Sequence, residues 1–348
     1  MTTVYILGAG SSRFTGFPLA TELWNFLKRE VDQAGLQTRE LGRQWLGAVD
    51  KVITHFRAYQ PSVEPPDLEL ILTLVDLAEM QGGILGSLDL TSVDIERARY
   101  AFARLVSSAF QWHAYLIRSQ IFEETNRGLT LDRDYVRDVI WGWAEQVSPG
   151  DTIVTFNWDP LHEMILWRSH KWHYRDGYGL KVDRTPEVQS SVLILKLHGS
   201  CNWALRHPND PKPCVEYVPD LFTEAGNNCE TNLPLGASAD HGESLVLPSY
   251  LKDPTQKPAL LPVWEKAACT LQSAESVIAL GYSLPTADIP TRTMMTLALK
   301  RNSRLDALKV VLGCDRGAAA YARWADFCAA VGKRVQPVYK TFEDFVLG

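Results

Sequence analysis

Three short stretches hold the side chains that reactions require. "LILKLHGSCNW" (193–203) is a near-continuous apolar run that stops at His198-Gly199. "TIVTFNWDP" (152–160) sets Asn157 and Asp159 on either side of Trp158, and "ILGAGSSRFTGFP" (6–18) opens on Gly8-Ala9-Gly10. A histidine at the end of a strand is suited to act as a general base near neutral pH, as a metal ligand, or simply as a hydrogen-bonded strand terminus. In an extended strand, Asn157 and Asp159 point one way and the indole between them the other. Asp159 before Pro160 also suits the start of a helix, which accounts for Asp159 but not for Asn157. Paired glycines after a strand let the backbone approach a phosphate at a helix N-terminus; a glycine turn with no ligand is the plainer reading.

The glycine loop departs from the dinucleotide fingerprint of dehydrogenases. Arg13 stands where the third glycine belongs, and the stretch that would carry a ribose-binding acid at the end of a second strand has helical period instead. Hydride transfer is therefore disfavoured. The polar run Ser11 to Pro18 reads as a long flexible lid over a nucleotide.

The elements that must hold these residues follow from periodicity. Apolar runs predict strands at Val4–Leu7, Thr152–Phe156, Val192–Leu197, Val277–Leu280 and Val310–Leu312, with a weaker sixth at Arg334–Val338. Most are followed by a loop and a helical pattern. The expected class is α/β, a Rossmann-like, mostly parallel sheet flanked by helices. Between the first two strands, residues 18–148 carry helical period. Leu19, Leu23, Leu27 and Val31 fall four apart, Trp45, Val49, Val52, Ile53 and Phe56 form a second face, and helices are expected at Leu68–Glu79, Ser92–Ile121 and Leu131–Val147. "QPSVEPPD" (60–67) and "MQGGILGS" (80–87) read as loops. The organisation is thus a sheet domain of residues 1–17 and 149–348 with an inserted helical module, 18–148, and an irregular excursion at 204–256 near the site. The fourth strand ends in "LGYSLPTAD", with Gly281 and Ser283 just past it. The fifth ends in "LGCDRG", with Asp315 placed to accept from ribose hydroxyls.

Composition narrows the class. The chain has 348 residues, 46% hydrophobic and 22% charged, with a formal charge of −6, which gives no global basic signature for nucleic acid. No apolar run approaches the roughly 18 to 20 residues of a membrane span. "MTTVYILGAG" lacks the features of a signal peptide. Cysteines 201, 214, 229, 269, 314 and 328 form no CxxC pair, so neither a disulfide framework nor a zinc site is expected, and a set of Cys201, Cys214 and Cys229 with His207 or His241 matches no usual spacing. A cytoplasmic protein without membrane or metal is the expectation. "FQWHAYLI" (110–117) reads as core and "RSHKWHYR" (168–175) as a solvated face.

Taken in order, "GAGSSRFTGFP", "TFNWD", "LHGS" and "GYSLP" resemble the GAG loop, T-Q-N-I-D strand end, H-G dipeptide and G-T-S-L turn of the sirtuin-like superfamily, over residues 4 to about 316. "PPDLELILTL" near 65 and "LVLPSYLKD" near 245 resemble its divergent bacterial branch, which acts in antiphage defence. The resemblance implies NAD as substrate. In it, Asn157 would orient the nicotinamide ribose and a water, Asp159 would hold the nicotinamide carboxamide, and His198 would be the general base. Gly8, Ala9, Gly10 and Ser12 would line the diphosphate and nicotinamide side, and Gly281, Ser283 and Asp315 would meet phosphate and the adenosine ribose. Phe156 replaces the family's glutamine, Leu19-Ala20-Thr21 replace an Asp-Phe-Arg run, and the zinc ribbon is missing. Those departures weigh against protein deacylation and leave NAD binding intact. The implied activity is NAD hydrolysis to nicotinamide and ADP-ribose, gated by a homo-oligomeric state or a regulatory partner. Deacylation or ADP-ribosyl transfer, and a non-catalytic nucleotide sensor, are the alternatives.

Overall fold

The computed structural model describes residues 2–33, 36–57, 68–80, 92–122, 131–174, 176–179, 190–206, 214–217, 245–249 and 257–348. Strands β1 (Thr3–Leu7), β2 (Thr152–Thr155) and β3 (Leu193–Lys196) are followed by a hairpin, β4 (Trp203–Arg206) and β5 (Cys214–Tyr217), and then by β6 (Ser276–Leu280), β7 (Ala307–Val311) and β8 (Arg334–Val338). Six of these form one sheet in the order β3-β2-β1-β6-β7-β8, and every pairing in it is parallel. The register places Ile6 between Val154 and Ala279. Strands buried on both faces need an unbroken apolar run, which "VYIL" and "IV" supply.

Helices α1 (Leu23–Gln33), α2 (Leu36–Arg57), α3 (Leu68–Met80), α4 (Ser92–Ile117) and α5 (Arg133–Gln146) lie between β1 and β2. Then come α6 (Leu161–Arg168), α7 (Leu261–Ser273), α8 (Ile289–Arg301), α9 (Cys314–Ala330) and α10 (Phe342–Leu347). The reason α5 forms is plain in its sequence. Val136, Val139, Ile140, Trp143 and Ala144 recur at helical spacing and are all buried, and Asp132 caps the first turn by accepting from Tyr135 N–H at 3.1 Å. At its other end, Lys171 Nζ donates to Ala144 O (2.5 Å) and Val147 O (2.6 Å). The basic run 168–175 is therefore tied to a helix terminus at Lys171 rather than merely solvated. One apolar cluster continues from Ile6 and Leu7 through Leu27, Ile53, Phe102 and Val139, joining the inserted helices to the sheet.

Expectation and structure differ at several boundaries. The excursion 204–256 contains the β4–β5 hairpin, with Trp203 opposite Tyr217. Its strands are too short to show a period. β7 begins at Ala307, and α4 ends at Ile117 in a π turn, Arg118–Phe122. Of the predicted loops 60–67 and 80–87, Met80 instead ends α3 and the remainder lies outside the described residues, as does the rest of the excursion except 245–249. The sheet's two edges are unlike each other. Beyond β3, Ile194 N–H donates to Gly177 O at 2.7 Å, whereas β8 is largely exposed and carries Pro337.

From β1 the chain crosses toward β2, and from β6 toward β7, so the carboxyl ends of β1 and β6 flank the point where the winding reverses. Open α/β sheets bind ligands there. The two segments leaving it are in backbone contact: Gly8 N–H donates to Leu280 O (3.1 Å) and Gly10 N–H to Gly281 O (3.2 Å). Gly281 has φ +63°, and a Cβ there would lie 2.5 Å from Ser11 N. Gly332 has φ +71° but open space around it. Gly281→Ala should cost about 3 kcal/mol or more, combining backbone strain with overpacking, and Gly332→Ala only about 1 kcal/mol. Denaturant midpoints of the two variants, side by side, check this.

Candidate functional site

Asn157 leaves β2 beside the glycine loop, because Phe156 N–H still donates to Leu7 O at 3.2 Å. Its Nδ2 stands 3.1 Å from Gly8 O, 3.1 Å from Ser12 Oγ and 3.3 Å from Ser11 Oγ, so two hydrogens serve three acceptors. Ser12 Oγ passes the direction on, donating to Asp159 Oδ1 at 3.0 Å, and the same oxygen accepts from Leu161 N–H at 3.1 Å. Amide, hydroxyl and carboxylate thus form one chain, with Ser12 as the hub. Asp159 also anchors the first turn of α6. Burial raises its carboxyl above the usual range, opposed by the Lys196 ammonium and by these hydrogen bonds.

Beneath that chain lies a second polar layer. Lys196, the last residue of β3, is fully buried; its Nζ donates to Glu163 Oε1 (2.7 Å) and to Asp159 O (2.5 Å). Tyr178 OH donates to the same Glu163 oxygen at 3.3 Å. Burial raises the Glu163 carboxyl, and the ammonium beside it pulls the other way. His162 Nε2 lies 2.9 Å from Ser11 Oγ, whose own proton points to Gly8 O at 2.9 Å. The imidazole is therefore the donor, and burial, then Lys196, lowers its pKa to about 3.

His198 emerges past β3, where Leu197 N–H continues the ladder to Thr155 O at 3.0 Å. Its ring lies 5.2 Å from the Phe156 ring, which stacks at 4.3 Å on Tyr282. Its Nε2 is 3.6 Å from Asp288 Oδ1, longer than a hydrogen bond but within ion-pair reach. Asp288 in turn accepts from Tyr282 OH (2.7 Å) and Thr291 Oγ1 (2.9 Å).

No protein-family model and no curated protein matches this chain. The site is therefore read from its own geometry. Gly8, Ser12, Asn157 and Asp159 are brought together directly. Gly281 joins them through the backbone, and His198 stands at the end of the neighbouring strand, with Phe156 and Tyr282 beside it. Ser283 lies in the loop after β6, where its carbonyl accepts from Arg323 Nε at 3.0 Å. Asp315 falls in the first turn of α9, and its side chain lies outside the described groups. Ala9 and Gly10 lie within a 3-10 turn, Ala9–Ser11.

One expectation about the glycine loop needs correction. The run after the glycines is a pair of 3-10 turns, Ala9–Ser11 and Arg13–Thr15, with Ser11, Ser12 and Thr15 buried, and not a long flexible loop. Its hydroxyls point inward because Asn157, His162 and Asp159 wait there. The glycines also serve the fold: a Cβ on Gly8 would sit 2.6 Å from Tyr282 Cα, and one on Gly10 would sit 2.9 Å from Gly281 Cα. Arg13, in the third-glycine position, pairs with Glu22 at 2.9 Å on the surface.

Among the described residues no cluster of three or more His, Cys, Asp or Glu is placed to hold a metal ion, and burial pushes the Cys201 thiol up; His207, Cys229, His241 and the Cys214 side chain lie outside the described groups. No helix among them is long and apolar enough to cross a membrane. Sequence reading missed Lys196, Glu163, His162, Tyr282 and Asp288. The "PTAD" that closes the fourth strand's loop was the available signal for the last.

The His162 value fixes a pH dependence. Its folded pKa, about 3, lies below the ordinary 6.5, so its contribution is complete above pH 6.5 and is lost as pH falls toward 3. The expected slope for this one group is about 1.4 kcal/mol per pH unit across that window. In His162→Gln, which keeps a donor toward Ser11, unfolding free energy should fall less steeply with acid by about one proton. Denaturant titrations at stepped pH measure the difference.

Proposed function

We propose that this chain is an NAD hydrolase of sirtuin-like type. The observation that carries the reading is the joining of Asn157 and Asp159 through Ser12, beside the glycine loop at the winding reversal, with His198 at the end of the adjacent strand. Bound NAD would meet the Asn157 amide through Oδ1, since the amide's three bonds all use Nδ2. Asp159 Oδ2, which takes neither the Ser12 nor the Leu161 bond, is the oxygen for the nicotinamide carboxamide.

The reaction needs no general acid. As the C1′–N bond breaks, its electron pair moves onto the pyridinium nitrogen, and nicotinamide leaves neutral. A water oxygen bonds to C1′ and gives its proton to His198, so NAD and water become nicotinamide, ADP-ribose and a proton. What the protein contributes is orientation and stabilisation of an oxocarbenium-like transition state. Such an activity depletes a central metabolite, which fits a gated effector of antiphage defence in the bacterial cytoplasm, controlled by self-association or a partner. A contact between the inserted helices and the loop supports the gate: His113 of α4 lies 2.9 Å from Thr15 O, and its ring packs on Phe17 and Phe26.

Nicotinamide release from NAD by the purified chain, alone and with lysate from phage-infected cells, tests the reading. Wild type should release nicotinamide in at least one setting, and His198→Ala and Asn157→Ala should each lower the rate about 100-fold or more. Binding of NAD without release in both settings would overturn hydrolysis in favour of a sensor. Release that requires an acylated peptide would overturn it in favour of deacylation.

A further inference from the structure

Asp288 precedes α8 at the position where an aspartate ordinarily accepts from the helix's own N–H groups. Here its side chain makes no such bond. Its oxygens accept from side-chain hydroxyls instead, Oδ2 from Tyr282 in the loop after β6 at 2.7 Å and Oδ1 from Thr291 in the first turn of α8 at 2.9 Å, and Oδ1 also faces His198 Nε2 at 3.6 Å. The carboxylate is 2% exposed and the imidazole 9%. A buried carboxylate at ion-pair distance from a ring nitrogen can orient that ring and offset positive charge that develops on it during a reaction. The Tyr282 phenol is held well above its ordinary range by burial and by Asp288, so it stays a donor. Phe156 closes the other side of the histidine ring.

We propose that Asp288 is the positioning residue of this site. It holds the His198 ring with Nε2–H toward the carboxylate, so that Nδ1 is the nitrogen that takes the proton from the attacking water. It then neutralises the imidazolium that results. Tyr282 and Thr291 fix the carboxylate and do not themselves touch the reacting atoms. The proposal rests on the NAD-hydrolase reading for its reaction, while the pairing itself rests on geometry.

Asp288→Asn preserves size while removing the charge; its one amide oxygen still accepts from one of the two hydroxyls, and its NH2 must donate to the other. It should lower kcat for nicotinamide release about 10- to 100-fold, with the KM for NAD changed less than about 2-fold. Combined with His198→Ala it should add no further loss, because the two act as a unit. A kcat within about 2-fold of wild type, or a double variant that falls by the product of the two singles, overturns the proposal. Nitrogen NMR of the labelled imidazole in wild-type protein keeps the pairing separate from the reaction. The Nε2–H tautomer is expected whether or not NAD is cleaved. An Nδ1–H tautomer overturns the pairing even in an active enzyme. Nε2–H without nicotinamide release supports the pairing and overturns only the reaction.

Discussion

Between the end of β1 and the end of β6, two backbones touch with no side chain between them. Gly8 and Gly10 can approach Gly281 and Tyr282 only because three of the four residues lack a Cβ, and the contact is sealed by hydrogen bonds from Gly8 and Gly10 N–H. Everything polar in the site is placed relative to this seam. On one side it sets Ser11 and Ser12 under the Asn157 amide. On the other it sends the chain through Tyr282 to Asp288 and so to His198. Widening the seam by one methyl group would move both halves at once.

The seam sits above an interior that is unusually polar for the centre of a sheet. Lys196, Glu163, His162 and Asp159 are all buried, and each desolvated charge is costly unless it is paired and hydrogen-bonded. Lys196 meets that requirement twice, through a carboxylate and a backbone carbonyl that belong to α6 and the turn before it. The pair therefore fixes α6 on β3, and with it the carboxylate of Asp159. Such an arrangement contributes less to net stability than to geometry, since removing either partner strands the other.

Much of the sheet was legible in the sequence because parallel buried strands leave a one-dimensional record, an apolar run with loops on both sides. Asn157, Asp159 and His198 were legible for the same reason: polar residues directly after such a run stand out. Lys196 was not, because a single lysine inside "LILKL" looks like a break in the strand rather than a buried ion, and its carboxylate lies far off in sequence at Glu163. Asp288 was hidden in the same way, its histidine lying far off in sequence just past β3. The glycines were seen but underread: spacing shows that a backbone must come close to something, and does not say whether that is a phosphate or a neighbouring chain segment.

The two borders of the sheet carry a consequence for how copies of the chain could join. On the β3 side, the Ile194 amide is already spent on Gly177, and on the β8 side Pro337 has no hydrogen to give. Among the described residues, neither border of the six-stranded sheet offers an intact row of donors to an incoming strand, which disfavours edge-to-edge zippering, the route to fibrous stacking. Among the described residues, the helices that flank the six-stranded sheet are better placed than its two borders to serve as mating surfaces.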